Sequence, residues 1–259
     1  MKREVKRELL DELPAGDRRA IGSRRDLQKV NAWMGHAHIM VRELAGAFTD
    51  RSPRSIVELG AGDGTLLLRL AKSIAPRWKP VRVLLVDRQR LLSSRTKAEF
   101  EALSWNVEPL EMDVFEWLQR PHPETSDLTL ANLFLHHFVE DDLRRLLWHT
   151  AHQTGFFLAC EPRRVNFSLC AAALLGFSGC NDVSRHDAKI SVRAGFAGNE
   201  LSALWPVDDG WRLVEREAGL FSHCFVAQRI EAKDHRVMEA KDDRAMEAKD
   251  DRIIDGQVL

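Results

Sequence analysis

The sequence predicts an α/β fold, a doubly wound and mostly parallel sheet that closes with an antiparallel strand pair. Three observations predict it. Short β-branched runs alternate with helical periodicities from residue 55 to residue 160, and a glycine-rich loop stands where the first strand meets its helix. The last two strand-like runs, 211–215 and 221–229, are joined by Glu217-Ala218-Gly219-Leu220, too short for a crossover helix, so they must pair antiparallel.

In chain order, residues 1–49 read as an N-terminal helical cap. Leu27, Val30, Trp33 and Met34 recur at helical spacing, as do Ile39, Val41, Leu44 and Phe48 after a break at Gly35. Pro53 marks a turn before the first strand at 56–59, and the helix that follows at 65–75 is stopped by Pro76. The run 81–87 is nearly continuous in apolar residues, as expected of a strand buried on both faces of a parallel sheet. A helix at 91–103, a strand at 107–112, a short helix at 114–118 and a Pro121-His122-Pro123 turn come next. Strands at 127–134 and 155–160 flank a helix at 140–150. The main domain is thus expected at 50–229, with residues 161–206 inserted as a helical lid between strands five and six. In the tail, 230–259, three octads each begin Glu-Ala-Lys-Asp. Eight residues is neither a heptad nor a hendecad, so a frayed helix or disorder is expected there.

The 259 residues suffice for one large domain, and a net charge of -1 supplies no field for the backbone of a nucleic acid. Basic residues near the start, Lys2, Arg3, Lys6 and Arg7 among them, alternate with Glu4, Glu8, Asp11 and Glu12, the pattern of a solvated helix face. Cys160, Cys170, Cys180 and Cys224 form no CxxC pair, so no metal site is expected and the thiols read as core residues in a reducing compartment. No run approaches the ~20 apolar residues of a bilayer span, and the start lacks a secretory apolar region. A cytoplasmic location follows as an expectation.

The chemistry concentrates in Val57-Glu58-Leu59-Gly60-Ala61-Gly62-Asp63-Gly64-Thr65, between strand and helix. Gly60 permits the sharp turn, and Gly62 and Gly64 are expected to let a ligand lie against the backbone at the carboxyl edge of the sheet. The spacing is GxGxG rather than the GxGxxG of dinucleotide sites. Pyrophosphate would meet the carboxylates of Glu58 and Asp63, whereas a cationic amino acid suits them. S-adenosylmethionine has that charge, and a nicotinamide dehydrogenase is disfavoured. Asp87, with Arg88 beside it, ends strand two about 20 residues on, where such folds place a carboxylate for ribose hydroxyls, although it is also placed to cap the next helix. Asp113 and Val114 are placed to read the adenine, and Asp113 is equally in position to N-cap the helix at 114–118.

With these residues in view, the segment from Glu58 to Thr65 resembles motif I of the class I S-adenosylmethionine-dependent methyltransferases, over about residues 50–160. The resemblance implies a Rossmann-like, seven-stranded sheet with an antiparallel last strand. It also implies cofactor contacts from Glu58, Gly60, Ala61, Gly62, Gly64, Asp87, Arg88, Asp113 and Val114. The stretch Leu130-Ala-Asn-Leu-Phe-Leu-His-His-Phe138 is similar to the segment after strand four of small-molecule methyltransferases, which implies that Asn132 and Leu133 face the methionine moiety. Residues 180–205 look like bacterial methyltransferases of phenolic or polyketide pathways.

Absences narrow the acceptor. The Asn/Asp-Pro-Pro-Tyr/Phe signature of amino-group methyltransferases is replaced by Ala131-Asn132-Leu133-Phe134, and Cys160-Glu161-Pro162 has the wrong order for a Pro-Cys nucleophile. Methyl transfer to oxygen needs alignment, a dry pocket and a base. His137 and His186, the latter followed by Asp187, are the candidate bases. A wall role for His137 and a surface role for His186 are the alternatives. Phe167, Leu174, Leu175, Phe177, Phe196 and Trp205 are the candidate lid walls. The expected function is methylation of a small hydrophobic or aromatic acceptor, at oxygen. Carbon methylation of a ring and a non-catalytic cofactor-binding partner are the other readings.

Overall fold

The computed structural model describes residues 1–230 apart from 76, 79, 122–123, 175–178 and 208–209, and apart from the side chains of Ala173 and Leu174. The tail repeat, the 121–123 turn and the wall candidates Leu174, Leu175 and Phe177 therefore lie outside what is described.

Seven strands form one sheet: β1 (Ser55–Leu59), β2 (Val81–Asp87), β3 (Trp105–Glu111), β4 (Leu128–Asn132), β5 (Phe156–Pro162), β6 (Trp211–Ala218) and β7 (Ser222–Arg229). Their order is β3-β2-β1-β4-β5-β7-β6. The first five run parallel, and β7 is antiparallel to both β5 and β6, with Cys160 opposite Cys224 and Ala218 opposite Ser222. The sheet is the Rossmann-like methyltransferase architecture, and its last two strands pair antiparallel as expected, through a link of residues 219–221 that is shifted from the expected 217–220 because Glu217 and Ala218 belong to β6.

Period-two alternation builds two cores. Ile56, Leu128, Leu130, Phe156 and Leu158 face α3 (His36–Ala47), α4 (Thr65–Ile74) and Phe100 of α5 (Ser94–Ala102). Val57, Leu59, Phe157 and Ala159 face α6 (Val114–Gln119) and α7 (Glu140–Gln153). Helices on both faces leave the carboxyl ends of the parallel strands as the open edge, where ligands of open α/β sheets bind.

Over that edge lie α1 (Leu9–Glu12), α2 (Arg18–Met34), α8 (Asn166–Leu174) and α9 (Asp182–Ala194). The cap is helical from Leu9 onward only, which corrects the expectation for residues 1–8. These eight residues form a strap tied down by other segments. The Arg3 guanidinium donates to the carbonyls of Ala194, His136 and Phe138 and lies over the Phe196 ring, and Glu4 N–H donates to the carbonyl of Arg193. Such partners are set by the fold, so a reading of local charge alternation misses them. Cys160, Cys180 and Cys224 are buried as expected, but Cys170 is exposed. Among the described residues no helix is long and apolar enough to cross a membrane.

Candidate active site

The loop after β1 turns because three of its glycines take left-handed backbone, φ +66° at Gly60, +57° at Gly62 and +71° at Gly64. Their environments differ, which corrects the shared role expected for the last two. A Cβ on Gly60 would sit 2.1 Å from the Phe134 ring, and one on Gly64 would sit 2.9 Å from Leu85 Cδ1. Only at Gly62 is the space open, so Gly62 presents bare backbone to the cavity while Gly64 packs against the sheet. Gly60 and Ala61 N–H both donate to the Val86 carbonyl, which holds the loop on β2.

Asp87 closes this cradle. One carboxylate oxygen accepts from Gly62 N–H at 2.8 Å and the other from Gln89 N–H at 2.8 Å. Burial raises its pKa against the pull of those two amides. Arg88 lines the same cavity and is 3.7 Å from Asp11. Asp113 accepts from Phe115 N–H at 2.8 Å, so the N-cap reading of that residue is realised, and Asp113 and Val114 also line the cavity.

Glu58 is 3% exposed, and its Oε2 has no hydrogen-bond partner. Burial first, then the charges of Asp63 and Asp87, push its pKa up to about 8. The second acidic residue of the loop is spent locally: Asp63 accepts from the Thr65 hydroxyl at 2.6 Å and amide at 3.0 Å, and from the Gln28 side chain. The loop therefore offers one buried carboxylate in want of a partner, not two.

After β4 the chain enters Leu133 with φ +49°, rare for a non-glycine residue, and Leu133 lines the cavity. The Asn132 side chain is turned to other work: its Oδ1 is 2.6 Å from His36 Nδ1, and His36 Nε2 is 2.9 Å from Ser222 Oγ. Burial lowers the His36 pKa to about 4 and keeps the ring neutral, so Nδ1 donates to Asn132 and Nε2 accepts from Ser222.

Glu161, fully buried on β5, is a residue that sequence reading passed over. It accepts from Phe134 N–H, Leu135 N–H and His136 Nδ1, the last at 2.7 Å. His136 reaches with Nε2 to Glu8 on the strap at 3.3 Å. Burial works against the imidazolium, but the hydrogen bonds and charges of Glu161 and Glu8 overcome it and raise the His136 pKa to about 9. Glu8, His136 and His137 bring potential ligand atoms within 4.8 Å of one another, a His/carboxylate grouping that no sequence spacing announced. His136 has both nitrogens committed to carboxylates, in a buried Glu161–His136–Glu8 ion triad, while His137 pairs with Asp11.

The two candidate bases part company. His137 lines the cavity with Nδ1 3.2 Å from Asp11 Oδ2. His186 is exposed and does not line it. Its neighbour Asp187 is 3.1 Å away, but the Asp187 carboxylate accepts the amides of Leu9 and Leu10, both at 2.9 Å, and so anchors α1. The expected His186–Asp187 base is thus corrected to a structural clamp. The wall also differs from expectation. Phe196 and Trp205 are buried in the sheet core, and exposed Phe167 stacks outside the cavity on Phe221.

A cavity of about 1080 Å³ lies along the carboxyl edge of the sheet. It runs from Gly62, Asp87 and Asp113 past Leu133 and His137 to Leu27, Val30 and Trp33 of α2. Single-ligand pockets span about 300–1,000 Å³, so there is room for a nucleoside cofactor and a second molecule.

Residues 56–153 match the family described as a methyltransferase domain. Among solved structures, the chain is similar to an O-methyltransferase family protein from Burkholderia thailandensis, with 20% identity and a TM-score of 0.54 over 84% of this chain, and it spans only 62% of that protein. It is also similar to the plantazolicin methyltransferase BpumL in complex with SAH, 12% identical with a TM-score of 0.58, covering 83% of this chain and 92% of that one. The methyltransferase domain of bacterial CtHen1-C shares 13% identity at a TM-score of 0.50, over 76% and 98% of the two chains. No curated protein sequence matches. The residues present fit S-adenosylmethionine, because Glu58 Oε2 is a buried carboxylate oxygen without a partner and Gly62 leaves open space against the backbone. The family match lies over the glycine motif and the neighbours share the fold around it, so residues 56–153 are a methyltransferase domain, with S-adenosylmethionine as its cofactor.

Proposed function

We propose that the protein transfers a methyl group to an oxygen of a small hydrophobic or aromatic acceptor, with His137 as general base and Asp11 holding it. The observation that carries this reading is the position of the His137–Asp11 pair in the wall of one continuous cavity, between the glycine loop and an apolar end. The name of the Burkholderia protein, an O-methyltransferase family member, is consistent with it.

Glu58, Gly60, Ala61, Gly62 and Leu133 hold the methionine end of the cofactor, Asp87 with Arg88 the ribose, and Asp113 with Val114 the adenine. Asn132 acts through its bond to His36, which fixes the turn after β4. The cofactor supplies the electrophilic methyl group. What the chain adds is orientation, exclusion of water by the strap and α2, and removal of the acceptor proton by His137. Asp11 accepts the His137 Nδ1 proton, which leaves Nε2 as the basic nitrogen and stabilises the imidazolium that forms.

His137→Ala should lower kcat by about 10²–10⁴ and Asp11→Asn by less, with S-adenosylhomocysteine affinity within about twofold of wild type. Stopped turnover assays with phenols, quinols and fatty acids measure this. A His137→Ala protein that keeps its kcat sinks the assignment.

The Glu58 carboxyl gives a pH signature. Its folded pKa is raised, so the empty protein carries it protonated below about 8, and binding a cationic ammonium must expel that proton. Cofactor affinity should therefore weaken as pH falls below about 8, by up to about tenfold per pH unit. Calorimetry in buffers of different ionisation enthalpy should show proton release at pH 7, and Glu58→Gln should remove both effects.

A further inference from the structure

Among the buried side-chain polar atoms of the described residues that line the cavity, one has no partner. Ser168, a residue 2% exposed, lines the cavity, and its buried hydroxyl makes no hydrogen bond. The other serine hydroxyls there are engaged: Ser191 donates to Glu8 and to the Asp187 carbonyl, and Ser184 bonds Ser23, Asp26 and Asn181. A buried hydroxyl left unsatisfied is costly, and in a ligand cavity the natural partner is the ligand.

Placement says which ligand and which part of it. The glycine loop and Asp87 follow β1 and β2, His137 follows β4, and Ser168 follows β5, so the three lie in succession along the carboxyl edge of the sheet. The cofactor occupies the β1–β3 end, which puts Ser168 on the far side of the reacting oxygen.

The surrounding walls suit an aromatic ring. Among the described residues, Ala171 and Ala172, on the same face of α8 as Ser168, and Ala188 of α9 line the cavity with small side chains. Large apolar groups bound it elsewhere, where Phe221 is stacked on Trp33 at 4.7 Å and on Phe167 at 5.5 Å.

We propose that Ser168 is a specificity-determining residue whose hydroxyl bonds a second oxygen of the acceptor, so that the acceptor class is a flat aromatic ring carrying at least two oxygens. The inference deepens the aromatic-acceptor reading and rests on it.

The test uses the full chain saturated with S-adenosylhomocysteine and two probes of nearly equal size, 5-pentylresorcinol and 3-pentylphenol, titrated calorimetrically. The wild type should bind the resorcinol about tenfold more tightly. Ser168→Ala should abolish that preference and Ser168→Thr should keep it, with affinity for S-adenosylhomocysteine unchanged in both. Ser168→Gly reads the same contrast should the alanine variant fail to bind S-adenosylhomocysteine. A preference that survives removal of the hydroxyl, or no preference in the wild type, overturns the assignment of Ser168 alone. Binding of neither probe by a protein that binds S-adenosylhomocysteine overturns the aromatic-acceptor reading and this inference with it.

Discussion

Glu161→Ala should cost about 3–5 kcal/mol and lower Tm by roughly 10 °C, the largest stability loss expected from any single side chain near the cavity. Its carboxylate is wholly buried and accepts from two backbone amides and an imidazolium. Removing it leaves two buried N–H donors without a partner and the cationic His136 ring with Glu8 alone, and removing one member of a buried ion triad weakens the rest. The consequence reaches function, because Phe134 and Leu135 begin the turn that carries His137, and His136 ties that turn to Glu8 of the strap. The variant should therefore lose cofactor affinity as well as Tm. The pH dependence has a definite sign. The His136 pKa is raised on folding to about 9, so its stabilisation is fully present below the unfolded value of about 6.5 and is lost as pH rises through about 9. Thermal melts of wild type should fall across that window, and those of Glu161→Ala should be flatter. Equal slopes would show that His136 is not the charged partner.

Gly60→Ala should weaken S-adenosylhomocysteine binding by 100-fold or more, roughly 3 kcal/mol, with a smaller loss of global stability. Two independent strains meet at this residue. Alanine at φ +66° pays about 1–2 kcal/mol for left-handed backbone, and its Cβ would stand 2.1 Å from the Phe134 ring. The loop cannot retreat without breaking the bonds from Gly60 and Ala61 to Val86, so the strain displaces the segment that faces the cofactor. Phe134→Ala in the same chain should relieve the contact but not the dihedral cost, and so recover only part of the affinity. Gly62→Ala makes the comparison: it shares the φ penalty but meets no atom within 4 Å, so it leaves the protein folded and obstructs only the ligand. Calorimetric titration of the four proteins checks the order. If Gly60→Ala binds as tightly as wild type, the loop is not the cofactor cradle.

The sheet was readable in the sequence because its signals are local. Apolar runs such as 81–87, the strand-to-helix placement of Gly60 to Gly64 and the short link before β7 each act within a few residues, and each element appears where expected to within a few positions. Gly62, Asp87 and Asp113, placed by that local grammar at the carboxyl edge of the sheet, line the cavity there for the same reason. Asp63 shows the limit: its charge was visible, but not that Thr65 and Gln28 would absorb it.

What the sequence by itself determined is the order of strands and helices, the glycine turn and the carboxylates around it, since backbone sterics and periodicity act over neighbouring residues. Only the tertiary structure decided that Asp11 stands beside His137, that Glu8 and Glu161 clasp His136, that Asp187 anchors α1 as well as meeting His186, and that the Ser168 hydroxyl is left without a partner. These pairings span up to 178 residues of chain, and their energies come from burial and partnering, which no local pattern encodes.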